Sequence, residues 1–175
     1  MEVSRIRALR GPNLWSRHTA IEAIVTCGEA ERSVDDLPGF ESRLRERFPE
    51  LDFLTATGHD ETVSMAHALE FAALGLQAQA GCPVTFSRTS ETIDPGTYQV
   101  VVEYTEEAVG RLAFALAETL CEAALNDTPF DLDRALAALR DLDEDERLGP
   151  STGAIVQAAE AHDIPYRRLT AGSLV

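Results

Sequence analysis

Thr97-Tyr98-Gln99-Val100-Val101-Val102-Glu103-Tyr104 decides the fold. β-Branched and aromatic side chains dominate it, the composition of a strand buried on at least one face. A second strand-like run, residues 83–88, lies upstream across the polar turn Ser90 to Gly96, so 83–104 reads as a β-hairpin. Long helices flank it. One spans 62–80, with Met65, Leu69, Phe71 to Ala73 and Leu76 on its buried side and Gly81 as C-cap; the other, dense in alanine and leucine, spans 106–125.

Further out, residues 3–9 alternate apolar and polar and 21–27 are β-branched, two strands that can pair antiparallel around the loop holding Trp15. Phe40, Leu44 and Phe48 fall at helical spacing before Pro49, and a short strand is expected at 51–55. Beyond a linker at 126–130, a helix is expected at 131–144 through Leu132, Leu136 and Leu139. A last helix follows, capped by Ser151 and ending near His162, with an extended piece opened by Pro165. The acidic run 141–146 reads as a solvated face. Strands and helices do not alternate strictly, which predicts an α+β protein: a small, mostly antiparallel sheet packed by two long helices, then a short helical C-terminal lobe. The corresponding division is 1–126 and 127–175.

The 175 residues carry a formal charge of −15, from 30 acids against 15 bases. All 15 bases are arginine. Such a charge repels polyanions at long range and argues against a nucleic-acid or anionic-membrane partner. No stretch is long and apolar enough for a membrane span, and Met1 to Arg10 holds three arginines but no apolar signal core, so a cytoplasmic location is expected. Cys27, Cys82 and Cys121 are isolated in apolar surroundings and read as reduced, buried residues.

Without lysine there is no Walker-type phosphate loop, and no Gly-rich dinucleotide fingerprint follows a strand. Two features could carry chemistry. On the first long helix, His67 and Glu70 share a face three residues apart, the beginning of an H-x-x-E-H zinc signature. The position of the second histidine holds Phe71, which has no donor atom. A zinc site would need another ligand, with His59 the nearest candidate beside His67, and the plainer alternative is a His–Glu pair satisfying each other. The second feature is Arg10, Arg88 and Arg111, each beside a turn or strand end. Guanidinium groups there suit a carboxylate-bearing partner, or else ion pairs with acids such as Glu91 or Glu103.

Several motifs in order resemble the N-terminal domain of cyanophycin synthetases: Leu9-Arg-Gly-Pro-Asn-Leu-Trp-Ser16, Leu37-Pro-Gly-Phe40, Phe86-Ser-Arg-Thr-Ser-Glu-Thr92 with Pro95-Gly96, Tyr98 to Tyr104 with Gly110-Arg111, and Leu148-Gly-Pro-Ser-Thr-Gly-Ala-Ile-Val156 with Ile164-Pro165. The resemblance implies a domain that binds and positions a growing polymer with a poly-aspartate backbone and arginine on each side-chain carboxylate. It also implies support for homo-oligomer assembly. Arg10, Arg88 and Arg111 are then the polymer-binding candidates. Ligase chemistry, with its ATP and Mg²⁺, would sit in downstream ATP-grasp and Mur-ligase-like domains, leaving this chain without a cofactor. In some members of that family the domain also carries a metal-dependent endopeptidase site with His-x-x-Glu-His on the helix. The first histidine and the glutamate match His67 and Glu70, and Phe71 departs from the pattern, so loss of hydrolysis is expected. Thr57-Gly58-His59-Asp60 lies where the family tends to be Gly-rich, and Ser90 stands in place of a second arginine.

Overall fold

In a computed structural model describing residues 1–51, 62–147, 150–162, 164, 168–170 and 173–174, the hairpin seeds a four-stranded antiparallel sheet. Strand β1 (Glu2–Leu9) pairs with β2 (Ala20–Thr26), β2 with β4 (Thr97–Glu103), and β4 with β3 (Ser87–Glu91), giving the order β1-β2-β4-β3. Helices α1 (Phe40–Arg47), α2 (Met65–Ala80), α3 (Glu107–Asn126), α4 (Leu132–Glu146) and α5 (Pro150–Ala161) complete the main elements among the described residues. The fold is α+β, as the order of elements predicts.

Alternation along the strands separates two faces. Ile21, Ala23, Val25, Tyr98, Val100 and Val102 point to one side. There α2 and α3 close the core with Leu69, Leu76, Phe114 and Leu120. The α4 side chains Leu136 and Leu139 join the same cluster, and α1 adds Phe40 and Leu44. Arginines tie the helices together: Arg43 donates to the Ala124 (2.6 Å) and Leu125 (3.3 Å) carbonyls, acceptors that the end of α3 leaves open, and Arg47 Nε donates to the Thr128 carbonyl (2.8 Å) just beyond it.

Several boundaries differ from the sequence reading, each for a local reason. Strand β3 begins at Ser87 rather than 83: the N–H groups of Thr85 and Phe86 both donate to the Glu103 carboxylate (2.8 Å each) instead of joining a ladder. Its far end extends into the expected turn, because Ser90 and Glu91 pair with Gln99 and Tyr98. Helix α2 starts at Met65, not 62, since Ser64 serves as its N-cap in a reciprocal box with His67. Phe71, expected on the buried side, is only half-buried. The acidic run 141–146 is not wholly a solvated face. It is the last part of α4, where Asp143 is buried and accepts from Arg147 one turn on. The last helix starts at Pro150, which places Ser151 inside the first turn rather than at the cap. The strand expected at 51–55 lies, after Leu51, outside the described residues, as do His59 and its neighbours.

Cys27, Cys82 and Cys121 are buried and free, and burial pushes the Cys27 thiol up to about 11 and the Cys121 thiol up to about 12. Such thiols are poor nucleophiles at neutral pH. No helix among the described residues is long and apolar enough to cross a membrane.

Candidate functional site

The sheet's second face carries the charge. In one row across all four strands, Arg7 of β1 pairs with Glu22 of β2, Glu22 with Val101 of β4, and Val101 with Arg88 of β3. Glu22 is only 3% exposed although it faces away from the core. Arg7 Nε and Gln99 Nε2 donate to it, and the Trp15 indole Nε1 donates at 3.2 Å. Burial alone would raise this carboxyl. The donors from Arg7, Gln99 and Trp15 outweigh that effect and hold it below the usual carboxylate range.

Trp15 reaches Glu22 because the 10–19 loop is folded tightly on itself. Asn13 Oδ1 accepts from the backbone N–H groups of Trp15 (2.9 Å) and Ser16 (3.1 Å), an Asx-type turn, and Asn13 Nδ2 donates to the His18 carbonyl (2.8 Å). Gly11 passes so close to the opposite side of the loop that a Cβ there would lie 2.6 Å from the Arg17 carbonyl oxygen. Arg88 lies over the indole ring, its Cζ 5.9 Å from the centroid, and its Nε donates to Ser90 Oγ (3.3 Å).

The second acid on this face is treated the same way. Glu103, 6% exposed, accepts the Thr85 and Phe86 N–H groups and lies 3.4 Å from His18 Nδ1. Both acids are sunk among donors, while the Arg7 and His18 side chains stay 61% and 62% exposed. In both pairs it is the basic partner that faces solvent.

The structure puts Arg10 and Arg111 together at one acid: Arg111 Nε donates to Glu107 Oε1 (2.9 Å) and Arg10 Nη2 lies 3.8 Å from Glu107 Oε2. Arg88 stands on the opposite edge strand from β1 and uses Trp15 and Ser90. Glu91 and Glu103, considered from sequence as ion-pair partners, take backbone N–H groups instead, Glu91 that of Gly96 (2.8 Å).

His67 and Glu70 each draw on other elements. The Ser64 N–H donates to His67 Nδ1 (3.2 Å), with Ser64 Oγ at 2.8 Å, and the ring meets Tyr98 edge-on at 5.9 Å. Ser64 thus occupies the Nδ1 side of the ring, and Phe71, the residue after Glu70, brings no donor atom. Glu70 is 4% exposed beneath β3; burial pushes its carboxyl up, partly offset by the facing hydroxyls of Ser87 and Thr89. Among the described residues no three His, Cys, Asp or Glu side chains are grouped for a metal. His59 lies outside them.

The profile of the cyanophycin synthase-like N-terminal domain matches residues 23–126, which hold α2, the hairpin and α3. The chain belongs to this family. It is 38% identical over 190 aligned positions to the cyanophycin synthetase of Trichormus variabilis, 37% to that of Geminocystis herdmanii and 35% to that of Synechocystis sp.. Each alignment covers all of this chain and 21–22% of the relative, so the chain spans about a fifth of the length of these synthetases.

The Glu22–Trp15–Gln99 cluster escaped the sequence reading. Its signal was a lone acid within the apolar run Ile21-Glu-Ala-Ile-Val, and only the strand register places it opposite Arg7.

Proposed function

We propose that this family member is a non-catalytic, polymer-binding domain of an ATP-dependent cyanophycin synthetase. It holds the aspartate–arginine polymer for ligase domains that lie elsewhere in the enzyme, and it supports assembly of the oligomer. ATP and Mg²⁺ belong to those other domains. The observation that carries this reading is Phe71, which supplies no ligand beside His67, while the His67 Nδ1 is turned to Ser64 at the start of α2. The helix motif then works as packing and capping, and recognition is left to surface charge. Arg10, Arg88 and Arg111 are exposed and offer guanidinium groups to carboxylates of the polymer, while the excess of acids elsewhere suits its guanidinium groups.

Each exposed pair contributes roughly 0–1 kcal/mol, so affinity must come from many of them at once and fall with salt. Incubating the chain with cyanophycin and zinc, with Glu70→Gln alongside, tests the reading. Polymer bound at low salt, released at high salt and uncleaved by either protein is expected. Cleavage by the parent chain that Glu70→Gln abolishes would establish a peptidase instead.

A further inference from the structure

The open face of the sheet is locally opposite in sign to the chain that bears it. Residues 1–19 hold four arginines, Arg5, Arg7, Arg10 and Arg17, against the single acid Glu2, in a chain whose formal charge is −15. Strand β1 and the 10–19 loop bring this segment onto the open face and its border. Of the acids there, Glu22 and Glu103 are buried; Glu22 engages Arg7 through Nε, while the Arg7 side chain stays 61% exposed and keeps its outer N–H groups for an incoming carboxylate, and the exposed acid Glu2 lies at the far end of β1. A carboxylate buried under an indole is costly unless it does something the fold needs, and here it seats Trp15 on the sheet.

Resting on the polymer-binding reading above, we propose that this face is where the polymer lies, with Arg7 and Arg88 taking its carboxylates on either side of Trp15 and Glu22 acting as the positioning residue that holds the indole and Arg7 in place. Arg7 and Arg88 sit at the two ends of the four-strand row, three strand spacings or roughly 14 Å apart. An extended polymer advances roughly 3.3 Å per backbone residue, so a segment of about four units spans both arginines. Trp15 lies between them with Arg88 against its ring, a flat, rigid surface on which the apolar stem of an arginyl side chain can rest. Binding through two or more guanidinium–carboxylate contacts on one rigid row also favours a polymer over its free building block, because the second contact is made intramolecularly.

Trp15 is the sole tryptophan of the chain, so its emission reports this face alone. The test titrates a short labelled segment of cyanophycin into the full chain, following label anisotropy and Trp15 emission together, for the parent, Arg88→Ala, Arg7→Ala with Arg88→Ala, and Arg134→Ala as a charge-matched change on the exposed start of α4. Among the described residues the Arg88 guanidinium meets Ser90 and the Trp15 ring and makes no hydrogen bond to Glu22, so its removal leaves the donors to Glu22 in place even if loss of Arg7 does not. The expected result is a change in Trp15 emission that saturates with the anisotropy. Affinity should be weakened several-fold by Arg88→Ala, weakened roughly tenfold by the double change, and unaltered by Arg134→Ala. Anisotropy that rises while Trp15 emission stays constant, with Arg88→Ala binding like the parent, would overturn the placement and leave the polymer-binding reading standing. No rise in anisotropy with any protein would overturn that reading itself.

Discussion

Replacing Glu22 by glutamine keeps the side chain's shape and removes its charge. In the parent, the buried carboxylate offers two oxygens to three donors: Arg7 Nε, Gln99 Nε2 and Trp15 Nε1. Arg7 uses one oxygen while the indole and the Gln99 amide share the other, so the amide leaves either Arg7 Nε, or both the indole and Gln99, facing an NH₂ group. An orphaned buried donor costs about 1–3 kcal/mol. For a chain of this length 1 kcal/mol corresponds to roughly 2–4 °C in Tm, so Glu22→Gln is expected to melt roughly 2–12 °C below the parent. The gap should depend on pH with a definite sign. Glu22 is held below its ordinary value of 4.5, so its contribution is fully present above that pH and is lost as the pH falls through the lowered folded value. Thermal melts followed by far-UV dichroism at several pH values, with Trp15 emission at each, read both effects. Glu22→Gln melting within about 1 °C of the parent, with unchanged Trp15 emission, would refute the claim that Glu22 seats the loop.

Glu70 moves the other way. Burial raises its carboxyl, so its folded form releases the proton late and stability falls as pH rises from 4.5 through the raised folded value; Glu70→Gln should flatten that slope and out-melt the parent near neutrality. Gly110→Ala should lower Tm in differential scanning fluorimetry. Its Cβ would lie 2.6 Å from Tyr104 Cβ and 3.2 Å from Ile21 Cγ1, an overpacking worth about 1–3 kcal/mol that exceeds the gain in helix propensity. Gly11→Ala puts a methyl group 2.6 Å from the Arg17 carbonyl oxygen and should shift Trp15 emission to longer wavelength as the loop lifts off Glu22. Arg111→Ala removes an exposed one-turn pair with Glu107 and should cost about 0.3–0.5 kcal/mol, which makes it a clean variant for binding measurements.

The hairpin and both long helices were legible because their signals are local: the valine run of β4, the turn around Pro95-Gly96, and apolar spacing along α2 and α3. The errors arose where a side chain from a distant element displaced a backbone partner. Glu103 draws off the N–H groups of Thr85 and Phe86 and shortens β3; Ser64 and His67 trade hydrogen bonds and delay α2. Spacing correctly put His67 and Glu70 on one helix, but it could not show that one serves a cap while the other faces Ser87 and Thr89. Arg10, Arg88 and Arg111 were visible as arginines near turns, whereas the convergence of two of them on Glu107 and the stacking of the third on Trp15 depend on the sheet order. Asp143 looked like one more solvated acid until the packing of α4 buried it.

Whether this domain holds polymer without cutting it is decided by equilibrium binding of the parent chain to cyanophycin at two ionic strengths. Screening shortens the reach of exposed charges from about 30 Å at 0.01 M salt to about 3 Å at 1 M. A polymer-holding domain should show saturable binding at low salt that weakens by about an order of magnitude or more at high salt, with the polymer recovered at its original length. Absence of binding at low salt, or an affinity indifferent to salt, would contradict that role.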